Sequence, residues 1–206
     1  MIDAYVWTTP NGMKLFIALD ELQLPHTLKW IDIGKGEQKT PAFLAINPNN
    51  KIPAIVDHTD EGDVTVFESA TILQYLGDKT GKLLPPAGPA RYTTLAWMTL
   101  GAASTGPNCG QLYDHKKHTK DPPAATVERF EKEVNRIFGV LDRRLAVVHF
   151  LGGDDFSMAD IMNITWVEAA STVGIELAKY EHVRRWHAEL MLRGSVQRAY
   201  AMTPPA

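Results

Sequence analysis

The chain has 206 residues, of which 45% are hydrophobic and 22% charged, the balance of an ordinary packed globular protein. Its net charge of −3 at pH 7 offers no basic field for nucleic acid. A single cysteine, Cys109, excludes an internal disulfide and a Cys-x-x-Cys redox pair. The N-terminus has no secretory pattern, and no apolar stretch approaches the ~20 residues that span a bilayer. We therefore expect a cytoplasmic protein with no membrane partner.

The first eighty residues predict alternating strands and helices. Short apolar runs bounded by turn residues predict four strands, over 2–7, 27–33, 53–57 and 64–67. Apolar residues at helical spacing predict three helices, over 13–24, 40–46 and 69–79. The resulting order, βαβ-α-ββα, is typical of a compact α/β unit.

The pattern changes between residues 81 and 89. The run Leu84-Pro85-Pro86-Ala87-Gly88-Pro89 can continue neither a helix nor a central strand, so we predict a linker over 83–89. Beyond it the patterns are only helical, over about 90–117, 123–148, 157–173 and 180–201. The prediction is an α/β domain over 1–82 followed by an all-α domain over 90–206.

Several familiar catalytic motifs are absent from the sequence. It contains no P-loop, HExxH or GxSxG, and its Gly34-Lys35-Gly36 loop lacks the third glycine of a dinucleotide-binding fingerprint. Of seven histidines, only His115 and His118 lie close together at helical spacing. Two ligands without a third do not predict a metal site, and a solvated helix face is the better interpretation.

A first candidate site lies where the first strand meets the first helix, at Thr9-Pro10-Asn11-Gly12. A helix N-terminus carries free N–H groups and partial positive charge, which stabilise anions. One such anion is a thiolate, whose parent thiol has a reference pKa of ~8.5. The hydroxyl of Thr9 and the amide of Asn11 would add hydrogen-bond donors there. The alternative is that both residues only cap the helix.

A second candidate is the segment Asn49-Asn50-Lys51-Ile52-Pro53 before the third strand. An Ile-Pro bond in this place is a candidate cis peptide. It would leave the backbone N–H and C=O of Ile52 available to an extended peptide, as in strand addition. Lys51 could then meet the carboxylate of that peptide. The alternative is an ordinary strand entry with a solvated lysine.

A third candidate is Glu68-Ser69, where the fourth strand becomes a helix. Ser69 and the first N–H groups of the helix could hold a carboxylate, while Glu68 could accept hydrogen bonds from an ammonium group. Together they suit the amino-acid end of a small zwitterionic peptide. The alternative is a serine cap beside an acid that complements the helix dipole.

Two features of the helical half are interpreted as structural. Ser157 and Asp160 have the spacing of a capping box, with an acid three residues after the cap. Cys109 is expected to be buried and inert, although it is the obvious rival nucleophile.

These motifs, in this order and at these spacings, resemble the glutathione transferase superfamily over nearly the whole chain. The resemblance implies a thioredoxin-like N-terminal domain and an all-helical C-terminal domain, the glutathione transferase fold. Pro53 looks like the cis-proline of that family, and Glu68 with Ser69 looks like its γ-glutamyl-binding pair. The Thr-Pro-Asn-Gly-x-Lys run from Thr9 to Lys14 is similar to the bacterial nu class and to fungal Ure2-like proteins.

The resemblance also implies roles for particular residues. Thr9 and Asn11 correspond to the residues that surround the sulfur of glutathione, so they are the predicted catalytic pair. The implied glutathione-binding residues are Gln38, Lys51, Ile52, Pro53, Glu68, Ser69 and, reaching over from the other subunit of a homodimer, Arg129.

The activity implied by the resemblance is reduction of small disulfides, with glutathione as co-substrate and with neither a protein cysteine nor a metal. Two alternatives remain open: conjugation of glutathione to small electrophiles, and a non-catalytic regulatory or binding role like that of Ure2-like proteins. The stretch 102–110 is smaller and more polar than expected for the nu class, which leaves the second substrate unspecified.

Overall fold

In the computed structural model, which describes residues 1–205, the chain divides into two units by its internal contacts. Unit 1 contains Met1–Lys82 together with the chain from Gly194 onward, and unit 2 contains Leu83–Arg193. Among the described residues, no helix combines the length and the apolar character needed to cross a bilayer.

Unit 1 is built on a four-stranded mixed sheet. Its elements are β1 (Ile2–Val6), α1 (Pro10–Leu22), β2 (His26–Trp30), a 3₁₀ turn (Glu37–Lys39), α2 (Pro41–Leu44), β3 (Ala54–Thr59), β4 (Gly62–Phe67) and α3 (Ser69–Thr80). The strand order is β2-β1-β3-β4, with β1 parallel to β2 and antiparallel to β3, and with β3 antiparallel to β4. This arrangement confirms the predicted thioredoxin-like domain.

The burial pattern of β1 and the position at which α1 starts both follow from the types of residue present. In β1 the side chains of Ile2, Ala4 and Val6 are buried and those between them are partly exposed, the period-two pattern of a strand. Helix α1 is buried along most of its length. At its start a Cβ on Gly12 would lie 1.9 Å from the carbonyl oxygen of Trp7, so only glycine allows α1 to begin this close to the end of β1.

Unit 2 is all-helical, which confirms the second half of the predicted fold. Its helices are α4 (Gly88–Leu100), α5 (Gly106–Lys117), α6 (Ala124–Leu145), α7 (Met158–Ser171) and α8 (Glu181–Met191). A π-helical turn, Gly101–Thr105, joins α4 to α5, so the segment predicted over 90–117 is one helical path with a widened turn in its middle.

The predicted capping box is present at the start of α7. Ser157 Oγ accepts a hydrogen bond from the N–H of Ala159, and Asp160 Oδ2 accepts from the N–H of Ser157. The other oxygen of Asp160 accepts from the N–H of Leu151 and from Nε1 of Trp186. Complete burial raises the pKa of the Asp160 carboxyl, and these hydrogen bonds oppose that effect. The motif therefore fastens α7 to its surroundings in unit 2.

The segment predicted as one helix over 180–201 is two helices, α8 and α9 (Gly194–Ala201). The N–H groups of Leu192 and Arg193 donate to the carbonyl oxygens three residues earlier, which closes α8, and α9 starts at Gly194. Helix α9 packs on α1 within unit 1. The region predicted as the helical domain, 90–206, therefore includes a helix that belongs to unit 1 by its contacts with α1.

Candidate functional site

A small cleft in unit 1 lies where α1 begins, where the chain enters β3 and where α3 begins. It has a volume of about 50 Å³, enough for the polar end of a ligand rather than for a whole tripeptide. It is lined by Asn11, Asn47, Lys51, Ile52, Pro53, Glu68 and Ser69. The three segments that the sequence singled out therefore converge on one place, although they are separated along the chain.

The start of α1 gives its two polar residues different surroundings. Thr9 is the N-cap, and its Oγ1 accepts a hydrogen bond from the N–H of Gly12 at 3.2 Å. A hydroxyl that accepts in this way keeps its own proton for donation. Asn11 lines the cleft, and its Oδ1 accepts a hydrogen bond from Nζ of Lys14 at 2.8 Å. Capping thus accounts for Thr9, whereas Asn11 makes a different contact.

The segment before β3 is held in place by a buried asparagine. Nδ2 of Asn47 donates to the carbonyl oxygen of Lys51 at 2.6 Å, and Oδ1 of Asn47 accepts from the N–H of Asn49 at 2.9 Å. The Ile52–Pro53 peptide bond is cis, as the sequence predicted. Pairing of β3 with its neighbours begins at Ala54, so the backbone of Ile52 lies outside the sheet ladder, at the cleft.

The start of α3 places an acid and a hydroxyl side by side at the cleft. Glu68 occupies the N-cap position with φ of 69°, and its side chain makes no capping hydrogen bond. A non-glycine residue in this conformation is uncommon and strained, which is typical of functional sites. Glu68 Oε1 instead accepts a hydrogen bond from Nδ2 of Asn49 at 3.1 Å. Ser69 is the first residue of α3 and Glu68 holds the N-cap position, so Ser69 is not the cap that the alternative interpretation made it.

Three of the predicted site residues do not line this cleft. Thr9 caps α1 beside it. Gln38 donates from Nε2 to the carbonyl oxygen of Ile33 at 3.4 Å, and its Oε1 is buried with no hydrogen-bond partner in residues 1–205. Arg129 lies on α6 in unit 2, where it lines a separate cavity of about 680 Å³ and where its guanidinium carbon is 5.7 Å from the ring centroid of Phe130.

Sequence reasoning gave no individual role to the residues that hold the cleft together, although Asn49 and Lys14 lie within the motifs described above. Asn47 and Asn49 brace Lys51 and Glu68 through the hydrogen bonds described above. Lys14 is only 1% exposed and contacts Asn11. The available signals were an Asn-Pro-Asn-Asn turn ahead of the third strand and a lysine on an otherwise apolar helix face.

The charges of the cleft suit a small zwitterion. Lys51 supplies an exposed cation, Glu68 supplies an exposed anion, and the N-terminus of α3 adds the partial positive charge of its helix dipole. Carboxylates therefore have two favourable places and an ammonium group has one. In the described part of the chain, no three or more His, Cys, Asp or Glu residues are grouped so that they could hold a metal ion.

Comparison with protein families gives matches to both halves of the chain. The family described as the glutathione S-transferase N-terminal domain matches residues 8–79, and the glutathione S-transferase C-terminal domain matches residues 91–193. The first match includes every residue that lines the cleft.

Similar proteins cover nearly the full length of the chain. The disulfide-bond oxidoreductase YfcG of Escherichia coli is 40% identical, with 97% of this chain and 94% of YfcG aligned. A glutathione transferase family member from Pseudomonas fluorescens, solved with two glutathione molecules bound, is 35% identical, with a TM-score of 0.89 over 97% of this chain and 92% of that one. The glutathione transferase URE2P6 of Phanerochaete chrysosporium, solved with oxidized glutathione, is 32% identical, with a TM-score of 0.91 over 97% and 94%. The chain therefore belongs to the glutathione S-transferase family.

Proposed function

We propose that the chain binds glutathione in the unit 1 cleft and uses its thiolate to reduce small disulfides. The observation that carries the proposal is the convergence of Asn11, Lys51–Pro53 and Glu68–Ser69 on one cleft. Solved relatives hold glutathione or oxidized glutathione, and the curated relative YfcG is named a disulfide-bond oxidoreductase.

In this proposal each part of the cleft recognises one part of the peptide. Glu68 accepts hydrogen bonds from the α-ammonium group of the γ-glutamyl residue, and Ser69 with the first N–H groups of α3 binds its α-carboxylate. The backbone of Ile52 pairs with the cysteinyl residue as an added strand would, and Pro53 fixes that segment beside β3. Lys51, with Gln38 beyond the cleft, binds the glycyl carboxylate.

The sulfur lies at the start of α1, where Thr9, Asn11 and the helix dipole stabilise the thiolate. The thiol proton leaves to solvent, and the thiolate attacks one sulfur of the substrate disulfide. A mixed disulfide forms and the other substrate sulfur departs as a thiolate. A second glutathione thiolate then attacks the mixed disulfide, which releases the second substrate thiol and forms glutathione disulfide. Two glutathione molecules are oxidised and one disulfide is reduced, without Cys109.

Further parts of the proposal rest on the resemblance to the nu class. The protein works in the cytoplasm as a homodimer, and Arg129 of one subunit reaches the glutathione bound to the other. In the single chain Arg129 is on α6 beside a broad cavity, so it is placed on unit 2 and not in the unit 1 cleft.

The test is glutathione-dependent reduction of a small model disulfide, coupled to glutathione reductase. We expect the Asn11→Ala variant to lose about ten- to a hundredfold in kcat/KM, because one hydrogen bond to a charged sulfur is worth roughly 1.5–3 kcal/mol. The affinity for glutathione should change little, since Lys51, Glu68 and Ser69 remain. Cys109→Ala serves as the matched control, because the side chain of Cys109 is fully buried in unit 2.

Loss of disulfide reduction in Cys109→Ala, or full activity in a variant that lacks both Thr9 and Asn11 side chains, would contradict the proposed mechanism. A conjugation assay with an aromatic halide should run beside it. Strong conjugation with weak disulfide reduction would favour the transferase alternative. Tight glutathione binding without turnover in either assay would favour the regulatory one.

A further inference from the structure

We infer that Lys14 is a positioning residue for the sulfur site, acting through Asn11. This inference rests on the proposed function, since it concerns the same bound glutathione. Lys14 lies three residues after Asn11 in α1, about one helical turn further along. Its ammonium group points at the amide of Asn11 instead of at solvent.

The burial of Lys14 is unusual for its residue type. Its side chain is 1% exposed, and it is among the largest fully buried side chains of the protein. Lysine is almost never fully buried unless it is paired, because desolvation of the ammonium group costs several kcal/mol. A methionine or leucine at this position would fill the same space without that cost. The charge is therefore retained in a place where packing alone does not require it.

The contact with Asn11 fixes which end of the amide faces which partner. An ammonium group has donors and no acceptor, so it can bind only the oxygen of the Asn11 amide. The distance from Lys14 Nζ to Asn11 Oδ1 is 2.8 Å, that of a charge-assisted hydrogen bond. A flipped amide would turn its NH₂ group toward the ammonium, with two sets of donors facing each other. Lys14 therefore assigns the NH₂ group of Asn11 to the donor role.

That assignment matters because a thiolate is a hydrogen-bond acceptor. An amide that presented its oxygen to the sulfur would destabilise the thiolate, whereas one that presents N–H stabilises it. The ammonium group also polarises the amide and strengthens its N–H donors, an effect that is larger in a buried, low-dielectric place. Lys14 thus stabilises the thiolate through the Asn11 amide and need not touch the substrate itself.

The experiment is a double-mutant cycle on the full chain with Lys14→Met, Asn11→Ala and the double variant. The readout is the thiol pKa of bound glutathione, followed by the ultraviolet absorbance of the thiolate during a pH titration. We expect Lys14→Met to raise this pKa by about one pH unit, which is a tenfold smaller thiolate fraction well below the pKa. On the Asn11→Ala background the same change should have no further effect. Non-additivity of this kind identifies a residue that acts through its neighbour.

Lys29→Met is the matched control, since it also removes one lysine charge from unit 1 but at a partly exposed ion pair with Asp3, where the Nζ–Oδ2 distance is 3.5 Å. It should leave the thiol pKa unchanged. An equal rise in Lys29→Met would mean that net charge, and not position, sets the pKa. An unchanged pKa in Lys14→Met, or an equal effect on the Asn11→Ala background, would overturn the inference.

Asn11→Asp tests the same idea if Lys14→Met does not fold. An aspartate keeps an oxygen for Lys14 but has no N–H for sulfur, so the thiol pKa should rise at least as far as in Asn11→Ala. A wild-type pKa in Asn11→Asp would overturn the inference. The titration uses no disulfide, so bound glutathione with a lowered thiol pKa but without turnover would refute the proposed reductase alone. Absence of glutathione binding to the wild type would refute both.

Discussion

Helix capping explains the side-chain contact of Thr9 but not that of Asn11, two residues further along the chain. The Thr9 side chain satisfies the N–H of Gly12, which is the ordinary duty of an N-cap threonine. Asn11 is the second residue of α1, past the capping position, and its amide oxygen accepts a hydrogen bond from the buried Lys14 side chain. Of the two, Asn11 carries the stronger indication of a role beyond helix formation.

The close approach of the backbone at Gly12 predicts that a larger residue there destabilises the protein. A Cβ there would lie 1.9 Å from Trp7 O, a backbone atom that cannot move away as a flexible side chain can. We expect Gly12→Ala to lower the free energy of unfolding by about 1–3 kcal/mol or more, as overpacking does. Urea denaturation would measure the change.

Gly139→Ala is the matched comparison, because the nearest atom to a Cβ at that helical position is Nη1 of the Arg143 side chain at 3.5 Å. Alanine in a helix interior is favoured over glycine by about 1 kcal/mol, so this variant should be neutral or stabilised. Equal destabilisation in both variants would show that close approach to Trp7 is not the cause.

The sequence predicted the residues that offer chemistry better than the residues that hold them. Lys51, Glu68 and Ser69 lie at element boundaries, where charge and hydroxyl groups stand out, and all three line the cleft. Asn47 and Lys14 act through contacts with other side chains or with backbone across a turn. Such contacts depend on where each side chain lies in the folded structure, and a sequence pattern does not give the direction of an individual amide or ammonium group.

At the scale of elements, β3 is fastened to α3 by one buried carboxylate. Asp57 Oδ2 accepts hydrogen bonds from Tyr75 Oη at 2.7 Å and from Nζ of Lys79 at 2.5 Å. Burial raises the pKa of the Asp57 carboxyl, but the hydrogen bonds from Lys79 and Tyr75 outweigh it and hold the pKa below its usual value. Burial together with the same carboxylate raises the pKa of Tyr75 to about 12.

The lowered pKa of Asp57 predicts a specific loss of stability in acid. A carboxyl group with a lower pKa in the folded state stabilises the protein above its unfolded pKa of about 3.9. That stabilisation disappears as the pH falls through the lower folded value. We therefore expect the urea midpoint of the wild type to fall more steeply below about pH 4 than that of Asp57→Asn, because the variant has no carboxyl group to protonate.

The comparison between wild type and variant removes the contributions of the other carboxyl groups. A parallel decline of both proteins below pH 4 would contradict the assignment to Asp57. Asp63→Asn is a control on the neighbouring strand, because its carboxylate is mostly exposed and its partner there is His58.

Element type was predictable wherever apolar spacing was regular, and less so at breaks between helices. The π-helical turn before α5 depends on Asn163 of α7, whose amide reaches Trp97 O and Thr105 Oγ1 across the unit. The break between α8 and α9 occurs in a stretch that keeps helical spacing on both sides. The contacts of Asn163 join residues distant in sequence, which a local pattern cannot record, whereas the second break is closed by local hydrogen bonds from the N–H groups of Leu192 and Arg193.

At the scale of the whole molecule, the chain returns to unit 1 after completing unit 2. Helix α9 buries Val196 and Ala199, and it meets α1 through Ser195 with Glu21 and through Arg198 with Asp20. We expect a chain that ends at Arg193 to lose at least about 2 kcal/mol of stability, because the apolar surface under Val196 becomes exposed. Thermal denaturation and glutathione binding would measure this loss.

Arg198→Ala separates packing from charge in that experiment. The ion pair of Arg198 with Asp20 is largely exposed on the arginine side, so its loss should change stability by less than about 1 kcal/mol. Val196→Asp in the full chain should reproduce most of the truncation effect, because it places a charge where the valine is fully buried. A truncated chain as stable as the wild type would refute the role of α9.

The path of the chain through its two units sets an order of events during synthesis. Domains generally fold in the order in which the ribosome releases them. Here the sheet and α1 emerge first, but α9, which covers α1, follows the whole of unit 2. Unit 1 is consequently begun first and finished last. A nascent chain interrupted anywhere within unit 2 leaves the α1 surface uncovered, because α9 has not yet been made.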